Sequence, residues 1–298
     1  MMPIWKQTLL ATYLGASWPY RCWQNRRRSA AAKAPLMILF YHRVADAHPN
    51  NWTISCQQFA KHIRYLQRNF ELISMQEIQR RLRLGHSPRP AVHITFDDGY
   101  AENCEFAIPL LVRESIPVTY FVTLHNVVHN TPFPHDIELG IPLSPNTPEQ
   151  LRSMVKDGVE IGAHTRTHPV LSRIQDPSQL HDEVVVSGQE LAALCGQPMR
   201  YFAIPFGLPE HIHRDVFAVA KRAGYEAVVS AYGGYNLVGD DDFHLQRIHG
   251  EPAMVELTNW LTVDPRKLWK VVRYPQSRGS LRYPAPTLPS SPCARLSP

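Results

Sequence analysis

Two adjacent aspartates end an apolar run in Ala91-Val92-His93-Ile94-Thr95-Phe96-Asp97-Asp98-Gly99. Neighbouring carboxylates repel each other, so a metal ion, a base or a set of backbone N–H groups must hold them. The plainer alternative is a turn, because Asp-Gly is common turn chemistry. Further on, Val159-Glu160-Ile161-Gly162-Ala163 runs into His164-Thr165-Arg166-Thr167-His168-Pro169. A neutral imidazole is a frequent metal ligand. Two histidines and one carboxylate leave coordination positions open for water and substrate, as a catalytic metal site requires. A histidine pair alone is more often core or surface. Two acids and two histidines, each following an apolar strand, make a joint site the better reading.

The elements that position these residues follow from periodicity. Leu36–Val44 reads as a buried first strand that carries His42, and Val118–Val122 as another. Cys56, Phe59, Ala60, Ile63 and Leu66 recur at helical spacing. Ser74 with Glu77 predicts a capping box, and Thr147 predicts a cap for a helix opening at Pro148. Leu124–Thr147 reads as a long Pro-rich irregular loop, of the kind that forms lids. A strand over Met199–Gly207 breaks at Pro205. Two short strands, Glu226–Ser230 and Phe243–Ile248, and a last helix from Val255 to Val272 complete the pattern. Apolar strands alternating with helices imply a parallel sheet, with polar residues at strand C-terminal ends where such folds carry their sites. Periodicity leaves a barrel and a doubly wound sheet both open.

The length of 298 residues fits one α/β domain, and 44% apolar residues suffice for a core. The net charge of +5 sits largely in Arg26–Arg28 and tail arginines, which read as a solvated face with no nucleic-acid partner. Five scattered cysteines without a CxxC pair imply reduced thiols. Residues 1–34 form a separate amphipathic, basic segment. It reads as a helix packed outside the domain, as a segment making peripheral membrane contact, or as a signal peptide. Its apolar part is too short to span a bilayer. Localisation is read as cytoplasmic or membrane-peripheral ahead of secreted. The domain itself is placed at residues 35–273, and residues 274–298, rich in Pro and Ser, as a disordered tail.

The two motifs resemble the signatures of the polysaccharide deacetylases, the NodB-homology proteins of carbohydrate esterase family four. Thr95-Phe96-Asp97-Asp98-Gly99 matches the whole of the first motif, and His164 to Pro169 the second. The resemblance runs from about Pro35 to about Val272. It implies a distorted (β/α) barrel of about seven strands. It also implies a metal-dependent hydrolase that removes N-acetyl groups from an N-acetylated glycan. Asp98, His164 and His168 are then the metal ligands, and Asp97 is the general base that takes a proton from water. The resemblance implies one divalent ion, zinc first, with cobalt, nickel or manganese as alternatives. A non-catalytic carbohydrate-binding protein on the same fold is the competing reading.

Two family positions differ. The third motif carries Arg where this chain has Ala203, in Ala203-Ile204-Pro205-Phe206-Gly207. Arg247 is the candidate to replace it beside Asp97. No clean Leu-His motif supplies the general acid. The opening Tyr41-His42-Arg43-Val44 resembles poly-N-acetylglucosamine-type deacetylases, in which an N-terminal strand supplies a catalytic histidine, so His42 is favoured over His249.

Overall fold

A computed structural model describes residues 3–250 and 253–268. A long helix, α1 (Ile4–Ala30), precedes the first strand, β1 (Leu36–Tyr41). The small pair β2 (Arg43–Val44) and β3 (Thr53–Ile54) follows. Then come α2 (Cys56–Asn69), β4 (Glu71–Leu72), α3 (Met75–Leu84) and β5 (Ala91–Phe96). Next are α4 (Ala107–Arg113), β6 (Val118–Val122), α5 (Leu124–His129), α6 (Pro134–Glu138), α7 (Pro148–Lys156) and β7 (Glu160–Ala163). The last part holds α8 (Pro177–His181), α9 (Ser187–Cys195), β8 (Tyr201–Ala203), α10 (Val216–Arg222), β9 (Ala227–Val229), β10 (His244–Leu245), β11 (Ile248–His249) and α11 (Met254–Leu261).

The strands form one parallel sheet in the order β10-β9-β8-β7-β6-β5-β1-β11, with β4 beside β5. Its two ends, β10 and β11, are separated in the chain by Gln246 and Arg247 alone. A single segment thus pairs with β9 through His244 and Leu245, and with β1 through Ile248 and His249. That connection forces the sheet to curl into a distorted barrel. Side chains alternate across it. Met37, Leu39 and Tyr41 pack outward in one core with Phe59, Ile63 and Leu66 of α2. Leu36 and Ile38 face the other way, packing with Phe121, Tyr201, Ala203 and Val229 from other strands. Ile78 and Leu82 of α3 join that second core.

Several expectations are refined. The first strand breaks at His42, and the last strand breaks at Gln246 and Arg247. Both functional candidates therefore sit where the ladder is interrupted. Ser74 accepts the Glu77 N–H, but the Glu77 carboxylate pairs with Arg80 and Arg81, so only half the expected capping box forms. Thr147 and Gln150 do form one at α7. The Pro-rich stretch holds two short helices, α5 and α6. The last helix stops at Leu261, short of Val272, because Val263 turns left-handed and Asp264 precedes a proline. The tail from residue 274 onward lies outside the described residues, as does Cys293; the other four cysteines are free thiols.

Residues 4–30 pack on the domain through α11. Arg21 is fully buried there, donating to the Asn259 carbonyl and side chain and to Thr262 Oγ1. Tyr13 Oη donates to Asp264 Oδ1, 3.9 Å from the Arg21 guanidinium. Removing one partner from a buried charged network leaves the others unmatched. Arg21→Ala should lower unfolding free energy by roughly 3 kcal/mol in urea titration, whereas exposed Arg26→Ala should leave it unchanged.

Candidate active site

The turn after β5 separates the two acids. The Asp97 N–H donates to the Tyr41 carbonyl, continuing the ladder, whereas Asp98 turns left-handed with φ of 74°. A non-glycine residue there is strained by roughly 1–2 kcal/mol. Gly99 follows with φ of 97°, a conformation open to it without a Cβ. The bend aims Asp98 at the loop after β7. Its Oδ1 lies 3.5 Å from His164 Nε2 and 3.3 Å from His168 Nε2, and is buried without a hydrogen-bond partner.

One ligand atom from each of Asp98, His164 and His168 lies within 4.8 Å of the others. Two ligands each about 2.0–2.1 Å from one tetrahedral ion stand roughly 3.4 Å apart, close to the observed contacts. His164 Nδ1 meets the Ala203 carbonyl at 2.8 Å, so the proton resides on Nδ1 and the Nε2 lone pair faces Asp98. A buried carboxylate oxygen without a donor, facing two imidazoles, fits a divalent cation. Burial opposes charge on Asp98, but the two imidazoles hold its pKa well below the ordinary carboxylate value. Burial likewise pulls His164 down, yet the two aspartates outweigh it and raise its pKa above 6.5.

The histidine loop is itself strained, with Thr165 at φ 65° and His168 at 59°. Glu183 holds it. Its buried carboxylate accepts the N–H groups of Arg166 and Thr167, at 2.8 and 2.9 Å, and the Thr167 hydroxyl at 2.6 Å. Glu183 lies in a π-helical turn, Asp182–Val186, between α8 and α9. Such bulges often re-aim side chains at functional sites. Sequence reading missed this residue, because periodicity shows only that a helix lies there.

Asp97 is engaged by Arg247. The guanidinium donates from both terminal nitrogens, at 2.6 and 2.8 Å, to the two carboxylate oxygens. It is fixed in turn by the Ser230 carbonyl and Thr95 Oγ1, and lies against the rings of Phe40 and Phe121. Burial favours the neutral acid, but Arg247, then the nearby His164, bring the Asp97 pKa below its ordinary value. Arg247 thus makes the contact with Asp97 that a replacement for the missing arginine would need. Ala203, in the motif arginine's slot, contributes its carbonyl to His164.

A cavity of about 400 Å³ collects Asp97, Asp98, His164, His168, His42 and His249. His42 packs on Trp52, with ring centroids 4.9 Å apart, and lies 6.0 Å from the His249 ring. Burial lowers the His42 pKa to about 4, against the raising effect of Asp98 and Asp97. On the other side, Phe206, left-handed and half exposed, lies 4.9 Å from the His168 ring. The Pro-rich segment reaches the same cavity through His135. It is tied down by the Asp136 carboxylate accepting from Tyr100 Oη, and by Phe133 edge-on to His168.

Residues 85–228 match the polysaccharide deacetylase family. A chitooligosaccharide deacetylase of Bradyrhizobium sp. (strain ANU 289) is 33% identical over 140 residues, covering 46% of this chain and 54% of that protein. The chain thus spans about half the length of that relative. The putative polysaccharide deacetylase YxkH of Bacillus subtilis (strain 168) is 25% identical over 223 residues, 74% of this chain and 73% of its own. The Streptococcus pyogenes deacetylase PplD, solved in complex with acetate, shares the fold with a TM-score of 0.64 at 22% identity, covering 77% of this chain and 99% of that one. With both motifs converging on one cavity, residues 85–228 carry a polysaccharide deacetylase (NodB-homology) domain.

Metal analysis checks the triad. His164→Ala and His168→Ala should each abolish stoichiometric divalent-ion binding. Glu183→Gln keeps the shape but weakens the grip on the loop, and should lower affinity by about tenfold, the low end for outer-shell partners. Because the raised pKa of His164 makes a proton compete with the ion, apparent affinity should rise with pH through and above 6.5.

Proposed function

We propose that the chain is a metal-dependent hydrolase that removes N-acetyl groups from an N-acetylated glycan. The observation that carries this reading is the contrast between the neighbouring acids. Asp98 is aimed at two imidazoles, whereas Asp97 is clamped by Arg247 and kept ionised. Asp98, His164 and His168 would hold one divalent ion, and their nitrogen and oxygen donors suit zinc. When bound, such an ion polarises an amide carbonyl and acidifies water. The competing reading, a carbohydrate-binding protein, gives Asp97 no reason to be held as a charged base.

Asp97 acts as the general base. Its lowered pKa keeps it ionised at neutral pH, and both oxygens retain lone pairs beyond those used by Arg247. Once protonated, a carboxyl of low pKa is a strong acid, able to return the proton to the departing nitrogen. His42 lines the cavity, but at a pKa of about 4 it is neutral at pH 7. Charging it there would cost roughly 4 kcal/mol. We therefore assign His42 to hydrogen-bond the leaving group, with Asp97 carrying the proton. Trp52 and Phe206 offer exposed rings on either side of the triad, which suits the apolar faces of sugar rings.

Turnover of N-acetylglucosamine oligomers tests this. Asp97→Asn should abolish deacetylation while retaining the ion. His42→Gln, which keeps a donor and cannot be charged, should retain measurable turnover, roughly 1–10% of normal, a smaller loss than the roughly 10²–10⁴-fold expected for a missing general acid or base. If His42→Gln is as inactive as Asp97→Asn, the imidazole is the general acid. Because Asp97 is ionised and His42 neutral well below pH 7, their titrations predict no loss of kcat between pH 6 and 8.

A further inference from the structure

The net charge of the chain is divided in an unusual way. Residues 1–34 and 265–298 carry 13 Lys and Arg and no Asp or Glu; residues 35–264 carry 18 Lys and Arg against 26 Asp and Glu. An acidic barrel is thus flanked by two basic ends. They meet in space where described: the Arg266 guanidinium lies 3.8 Å from the centre of the Tyr13 ring on α1, beside the Asp264 that Tyr13 bonds.

On α1 the side packed on the domain carries Tyr13, Ser17, Arg21 and Asn25, all bonded to one another or to residues 259–264. A different side carries Trp5, Leu9, Ala16, Tyr20, Trp23 and Arg27 at helical spacing, all exposed. Trp5, Leu9, Tyr20 and Trp23 are each half exposed or more. Basic groups lie over the indoles, Lys6 at 5.3 Å from the Trp5 ring centre and Arg27 at 5.6 Å from that of Trp23. Large exposed apolar side chains along one stripe mark a binding face. Interfacial helices combine Trp and Leu with Lys and Arg in this way, because indoles favour the headgroup level while cations meet anionic lipid.

We propose that α1 docks this stripe on an anionic lipid bilayer, lying along its surface. No helix among the described residues is long and apolar enough to cross one. Residues 269–298, which hold four arginines, a lysine and no acid, do not complement a basic helix. A second copy would present the same basic helix, and its acidic barrel would leave the indoles unmatched. Lipid answers both the charge and the aromatic stripe. The acidic barrel is then repelled from the membrane that α1 grips, so the helix lies between bilayer and barrel.

Vesicle co-sedimentation of the full chain tests this at about 0.1 M salt, where screening leaves close contacts intact. Phosphatidylcholine vesicles are compared with the same vesicles containing phosphatidylglycerol. The anionic vesicles should bind at least about tenfold more protein. Trp5→Ser with Trp23→Ser, and separately Arg26→Gln with Arg27→Gln, should each reduce that binding roughly tenfold with unchanged circular dichroism and gel-filtration volume. Equal binding to both vesicle types, or none, overturns the proposal. So does anionic binding that the tryptophan pair does not affect, which signifies plain polyanion attraction, as heparin would then reproduce. Self-association abolished by the same variants, without vesicle binding, assigns the stripe to a second copy instead.

Discussion

The buried ion pair between Arg247 and Asp97 joins the closure of the fold to its chemistry. Arg247 occupies the two-residue gap between β10 and β11, where one segment leaves β9 and meets β1. Its guanidinium reaches across the interior to the end of β5 and meets Asp97 with paired bonds. Removing one partner of such a pair costs roughly 3–5 kcal/mol, since the other charge is left buried and unmatched. The sheet therefore curls with Arg247 in the one place that also charges the proposed base. A planar, bidentate guanidinium does this where a lysine point charge would not.

Around that pair the backbone is held in unfavourable conformations. Asp98, Thr165, His168 and Phe206 are all left-handed without being glycine. Such conformations persist where surroundings over-determine them, and they cluster at functional sites. Here the restraints are visible: Glu183 grips the histidine loop, the Ala203 carbonyl fixes the His164 tautomer, and the Pro-rich segment closes on Tyr100 and His168. Gly207, next to Phe206, is packed so closely that a Cβ would stand 2.7 Å from Ala231. The strain and its supports together set the donors in place before any ion or substrate arrives.

Much of this was legible in the chain itself. Val118–Val122 reads as a strand residue for residue, and the two motifs bring Asp97, Asp98, His164 and His168 to one face because each follows a parallel strand. Arg247 was visible as a candidate, though its partner geometry was not. What stayed hidden depends on tertiary context. Glu183 acts through backbone N–H groups 16 and 17 residues away in sequence, and Ala203 acts through its carbonyl; neither leaves a mark in residue type. The strand breaks at His42 and Gln246–Arg247 fall inside apolar or mixed runs whose period does not change. α5 and α6 are short and lie among prolines, so composition alone reads them as loop. The charge state of His42 follows from burial, which sequence does not reveal.

The central claim is that Arg247 has taken over the role of the arginine absent at position 203. Deacetylation rates of Arg247→Ala and of Arg247→Ala with Ala203→Arg, beside metal content, measure this most directly. The account predicts that the single variant keeps its ion but loses turnover by about a hundredfold or more, the low end for removal of a group that supports the catalytic base. The second substitution should restore about tenfold of that loss by charging Asp97 from the end of β8 instead. Near-normal turnover in Arg247→Ala would contradict it.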